Sequence, residues 1–364
     1  MKFIKSLIIS STLFCSASLA FIACGGDDED EASEEGSSPD STETPESEGT
    51  DGVDVSTLGT VSTNAQGYRE VSITVGSHTY TFVEVPAGAF TMGSESGLEN
   101  ESPARSVTLS TYWISKYHIT LGQFKTYITE SGNTSDAQSG VGCYIYDSTE
   151  QGWSNNTNGH YLATGYTQAD DHPAVCISWN DAIKFCSWIQ SNLGNAYCSL
   201  PTEAQWEKAA RGTDARTYPW GSSTPTASQA NFADASFATS YVGQNGSTTA
   251  IDDGYVATSP VTAKTDGASF YGIHDMAGNA GEWCYDYFDE SFYSTGSSTD
   301  PTGPTSGSQR VNRGGSWGDN LGSTSAQINE GHNILSSSRT GDDQNSSDDR
   351  MGFRILMGEG CKRV

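Results

Sequence analysis

Two groups of residues carry side chains that could do chemistry. Six cysteines, Cys143, Cys176, Cys186, Cys198, Cys284 and Cys361, remain once Cys15 and Cys24 near the start of the chain are set aside. None forms a Cys-x-x-Cys pair, so structural disulfides fit better than a thiolate metal cluster, and six thiols allow three bridges in fifteen pairings. Cys186 with Cys198 is the expected bridge, because a helix returning directly to a strand would bring them together. The second group is Asp275-Met-Ala-Gly-Asn-Ala-Gly-Glu282, where two acids bracket a Gly-rich turn. Carboxylate and carbonyl oxygens so spaced suit a hard cation such as calcium; without an ion, the same string is an Asx-type turn with solvated acids. The six histidines are scattered, and no G-x-S-x-G or phosphate-binding loop occurs.

The start of the chain concerns delivery. Lys2 and Lys5, an apolar stretch from Leu7 to Ala23 and then Ile22-Ala23-Cys24-Gly25 form a secretory signal. The small residue before Cys24 resembles a bacterial lipobox, which makes 1–23 the signal peptide and Cys24 the lipidated first residue of the mature chain. The only membrane partner expected is then the bilayer that takes the lipid. Gly25 resembles outer-membrane sorting, and the acidic run from Asp27 to Glu31 resembles the surface-export signal of some bacterial lipoproteins. Residues 24–56 hold thirteen acids, no base and almost nothing apolar, so they are expected to remain an extended, self-repelling tether.

The chain has 364 residues and a formal charge of −27; beyond the tether 32 acids face 16 bases. Such a balance excludes a phosphate-backbone binder. Residues 57–364, with most of the 38 aromatics, suffice for a sizeable core. Alternation at Val71–Val75, Tyr80–Val85 and Val107–Leu109 predicts short strands. Thr120 to Gln123, Ser178 to Asp181 and Thr202 to Gln205 have capping-box spacing and predict three helices. Trp179-Asn180-Asp181 imitates a calcium tripeptide of lectins, but it falls at the second of these helix starts and reads as capping. Beyond Arg211 periodicity fades, and a loop-rich half is expected.

Eight segments in order resemble the formylglycine-generating enzyme, or sulfatase-modifying factor, family: FVEVPAGAFTMGS (82–94), VTLSTYWISKYHITLGQF (107–124), HPAVCISWNDAIKFCSW (172–188), LPTEAQWEKAARG (200–212), YPWG (218–221), YGIHDMAGNAGEW (271–283), RVNRGGSW (310–317) and MGFRIL (351–356). The resemblance implies an α+β, atypical C-type-lectin-like fold with sparse regular structure. It also implies two structural calcium sites. One would use the Asn231 and Asp253 side chains with the Phe232 and Tyr255 carbonyls; the other, Asp275 and Glu282 with the Gly278 and Ala280 carbonyls. The family's oxidases bind copper through two cysteines just after the GGS segment and convert a substrate cysteine to formylglycine. Here those positions fall at Asp319 and Thr324, and hard oxygens do not replace two soft thiolates. Copper is therefore not expected. What remains is an exported binding or interaction module for a peptide, protein or glycan, its cleft lined near Ser316, Trp317 and Asp319. The rival is a sulfatase-modifying or related oxidoreductase with a non-standard site, acting on exported proteins.

Overall fold

Alternating burial along residues 69–85 sets the first sheet. In the computed structural model, which describes residues 55–194, 196–241, 250–321 and 333–358, β1 (Thr60–Thr63), β2 (Arg69–Val75) and β3 (His78–Val85) run antiparallel. The signal segment, nearly all of the tether, Cys24, Thr324 and Cys361 lie outside the described residues. Thr50–Val364 forms one compact unit. A separate ribbon pairs β4 (Gly88–Met92) with β5 (Arg105–Leu109); β6 (Tyr112–Ser115) returns to pair with β3.

The three capping boxes all form. Thr120 caps α1 (Leu121–Ser131), Ser178 caps α2 (Trp179–Asn192) and Thr202 caps α3 (Glu203–Arg211), each with reciprocal bonds between the cap residue and its third successor. Asp181 thus accepts from the Ser178 amide, and its two oxygens also take the Asp136 amide, which leaves the lectin-like tripeptide a capping role.

Successive side chains on a strand face opposite ways, and those two apart share a face. Val71, Ile73 and Phe82 therefore join Phe124, Tyr127 and Phe185 of α1 and α2 in one core cluster. Val83, Val85, Tyr112 and Ile114 meet Trp206, Ala209 and Ala210 of α3 in another. β9 (Cys198–Ser199) and β14 (Leu356–Met357) complete the six-stranded sheet, in the order β1-β2-β3-β6-β14-β9.

The ribbon of β7 (Cys143–Asp147) and β8 (Gly152–Asn156) is tied to the segment before α2 by a Cys143–Cys176 disulfide. The expected Cys186–Cys198 bridge is corrected here: the two thiols do meet, α2 against β9, and share a hydrogen bond, but both are free and buried. Cys284 is also a buried free thiol, so one bridge, not three, joins the described cysteines.

The second half holds more regular structure than its sequence announces. α4 (Ala235–Ser240) is capped by Asp234, and β10 (Gly281–Tyr287), β11 (Arg310–Arg313), β12 (Arg339–Asp342) and β13 (Met351–Gly352) form a four-stranded sheet in the order β12-β11-β10-β13; α5 (Phe292–Thr295) follows β10. β10 is buried at five of its seven positions, on both faces, so no polar alternation marks it.

Candidate functional site

β11 is followed by Gly314 and Gly315, both in the left-handed region, at φ 90° and 66°. A Cβ on Gly314 would lie 3.0 Å from the Trp206 ring, and one on Gly315 would lie 2.7 Å from the Asn333 carbonyl oxygen. Only glycine fits both the rotation and the space. The turn places Asp319 so that its Oδ2 accepts from the Ser316 amide and the Ser316 hydroxyl, each at 2.8 Å, while its carbonyl accepts from Ala233. Asp319, Arg313, Asn333 and Arg339 wall a polar cavity of about 20 Å³, room for roughly one water. Of the three expected cleft residues, Asp319 lines this cavity, whereas Ser316 and Trp317 are buried beside it in the chain. Trp317 donates to the Asp349 carbonyl and lies within a cluster of Tyr166, Tyr241, Phe237 and Trp153, where burying its ring outweighs exposing it in a cleft.

Behind the turn is a buried ionic network that sequence reasoning missed. Arg339 forks onto Glu203 at 2.6 and 2.9 Å; Arg313 and Arg211 both bind Glu207, and the Tyr293 hydroxyl donates to both glutamates. Burial opposes the charge on Glu203, but Arg339 and Arg313 hold its carboxyl below the usual range. The network clamps α3 to the strands on either side of the Gly-Gly turn. The i, i+4 spacing of Glu203, Glu207 and Arg211 was its one local signal.

The two expected cation sites differ. Asn231 donates through Nδ2 to the Ala257 carbonyl and to Asn279, while its Oδ1 is buried with no hydrogen-bond partner. Asp253 accepts from the Phe232 and Tyr255 amides; burial pushes its carboxyl up to about 7, although Lys264 lies 3.7 Å away and opposes the rise. The orphaned Asn231 amide oxygen and the buried Asp253 carboxyl are oxygens of the kind a hard cation takes, so the chemistry of this set fits an ion held by Asn231, Asp253 and the Phe232 and Tyr255 carbonyls.

The second set does not fit. Glu282 accepts from Arg354 Nε at 2.6 Å and Nη2 at 2.7 Å and from the Trp206 indole at 2.7 Å, and it sits 3.1 Å from His118 Nε2. That same ring nitrogen is 3.0 Å from the Ala280 carbonyl. Both neighbours are acceptors, so Nε2 carries the proton. Three hydrogen bonds fill the Glu282 oxygens and the one His118 N–H is shared between Glu282 and the Ala280 carbonyl, leaving a cation only Asp275 and the Gly278 carbonyl from its expected set. Asp275 donates nothing to that pairing; its Oδ2 accepts from Asn279, and burial raises its carboxyl to about 6. Glu282 is the counter-ion of Arg354.

The family model of the sulfatase-modifying factor enzyme 1-like domain matches residues 71–358. The chain belongs to this family. It is 31% identical over 264 residues to the formylglycine-generating enzyme of Thermomonospora curvata, across 65% of this chain and 82% of that enzyme. It is 26% identical over 305 residues to the inactive Cα-formylglycine-generating enzyme 2 of Bos taurus, across 78% and 89%. Among solved structures, PvdO from Pseudomonas aeruginosa has a like fold, with a TM-score of 0.56 at 24% identity over 82% of this chain and 98% of that one. The α+β, loop-rich architecture is thus that of the formylglycine-generating enzyme family.

Proposed function

We propose that this member of the formylglycine-generating enzyme family is a binding or interaction module and not an oxidase. The observation that carries the reading is Asp319: a carboxylate, bonded to the Ser316 amide and hydroxyl of its own turn, stands where the resemblance calls for the first copper thiolate. Cu(I) chemistry needs soft ligands, and no cysteine occurs between Cys284 and Cys361. Similarity to a relative named as inactive supports the same reading. The ligand class is a peptide, protein or glycan. A calcium ion on Asn231, Phe232, Asp253 and Tyr255 would act structurally, in a region with little regular secondary structure. The chain would be exported and held at the outer membrane by lipid on Cys24, with the acidic segment as spacer.

The test supplies the full-length chain with copper(I), oxygen and a peptide bearing a sulfatase-type cysteine motif, and follows peptide mass. The thiol is expected to survive; its conversion to aldehyde would overturn the proposal. In the same preparation, cell fractionation checks the anchor: Cys24→Ala is expected to move the protein from the membrane to the soluble fraction, and an unchanged distribution would remove that part of the reading.

A further inference from the structure

The loop between β4 and β5 surrounds an acid with no counterpart. Glu101 is fully buried, and neither carboxylate oxygen has a hydrogen-bond partner. The chain builds a housing around it. The Glu101 amide donates to the Leu98 carbonyl, and its carbonyl accepts from Ser94, so the loop closes on this one residue. Gly97 lies directly over the carboxylate: a Cβ there would fall 2.0 Å from Oε2 and 2.5 Å from Cδ. The neighbouring residue is fixed from outside, since Arg339 Nη1 donates to the Asn100 carbonyl at 2.9 Å and the Asn100 amide donates back to Arg339 at 3.3 Å. Asn100 Oδ1 is likewise buried without a partner.

A carboxylate held out of water with no donor is costly, and native structures satisfy such groups with a partner or an ion. The loop offers no nitrogen base. Its side chains, Ser94, Glu95, Ser96, Glu99, Asn100 and Ser102, are all oxygen donors or an amide. Among the described residues no three His, Cys, Asp or Glu side chains converge, so at most one further acid could join Glu101 and the other ligands would be neutral oxygens. This is hard-cation chemistry with a low ligand charge.

We propose that the Ser94–Ser102 loop binds a divalent cation, calcium by its donor set, through the Glu101 carboxylate. So low a ligand charge places the site with the weak extracellular modules, which have dissociation constants of roughly 10⁻⁴ to 10⁻³ M. The site is separate from the Asn231 and Asp253 set and does not depend on it.

The experiment titrates chelator-stripped full-length protein with calcium alone in the calorimeter, using an Asp253→Asn background to silence the other set. One calcium per chain is expected in that background, and none after adding Glu101→Gln. Hydrogen exchange of the unmodified protein gives a second readout that survives a poorly folding variant: amides 94–102 are expected to gain protection with calcium. Equal stoichiometry with and without Glu101→Gln, no binding in the Asp253→Asn background, or unchanged exchange in the loop would overturn the proposal.

Discussion

Replacing Glu282 with glutamine separates two readings of the same acid. As the partner of Arg354 it faces a guanidinium, an indole N–H and the His118 N–H in a fully buried site. Glutamine would keep the volume, leave Arg354 without its counter-charge and turn an NH₂ toward one of the existing donors. Removing one member of a buried pair costs about 3–5 kcal/mol. The titration agrees in size: burial alone would raise the Glu282 carboxyl, but Arg354 and His118 outweigh it and lower it from 4.5 to about 2, a shift worth about 3 kcal/mol. Because the folded value is depressed, this stabilisation is complete above pH 4.5 and is lost as pH falls toward 2. Denaturant unfolding of the full-length protein at pH 7 should therefore show Glu282→Gln less stable by about 3–5 kcal/mol, and on the order of 10 °C lower in Tm. The loss should be the same in chelator and in millimolar calcium, and the variant should lack this contribution to the acid-side decline. A loss below about 1 kcal/mol, or one seen only with calcium present, would refute the ion-pair assignment and restore Glu282 as a metal ligand.

Two further outcomes follow from the fold. Cys143 and Cys176 close a loop of sequence separation 33, so replacing both with serine should cost about 3–4 kcal/mol by the chain-entropy relation; equilibrium unfolding without reductant checks this, and an unchanged midpoint would mean that the bridge does not form. If calcium occupies the Asn231 and Asp253 set, adding chelator should lower the melting temperature of the parent, and Asp253→Asn should abolish the part of that drop due to this set; a parent insensitive to chelation would overturn the assignment of calcium to it.

Local chemistry was legible in the chain and distant partnership was not. The three capping boxes need only a hydroxyl and an acid or amide three residues on, and all three formed where their spacing put them. Alternation located β2 and β5 because each buries one face more than the other, and it located β3 although that strand buries residues of both faces. β10 escaped notice because both its faces are buried. The Gly-Gly turn and the carboxylate at position 319 were also readable, since they are adjacent in the chain.

The buried charges had no such signal. Glu282 meets Arg354 across 72 positions, Glu207 meets Arg313 across 106, and Glu203 meets Arg339 across 136. No periodicity links residues so far apart, and an acid beside a Gly-rich turn looks the same in sequence whether calcium or a guanidinium neutralises it. The cysteines illustrate the same limit: the sequence brought Cys186 and Cys198 to adjacent elements, yet the bridge formed between Cys143 and Cys176. By itself the sequence determined the family, the helix starts and the presence of a carboxylate at position 319 after the Gly-Gly pair. Only the tertiary structure decided which carboxylates are already paired and which, like Glu101, have no hydrogen-bond partner, because that depends on which donors distant segments bring within about 3 Å.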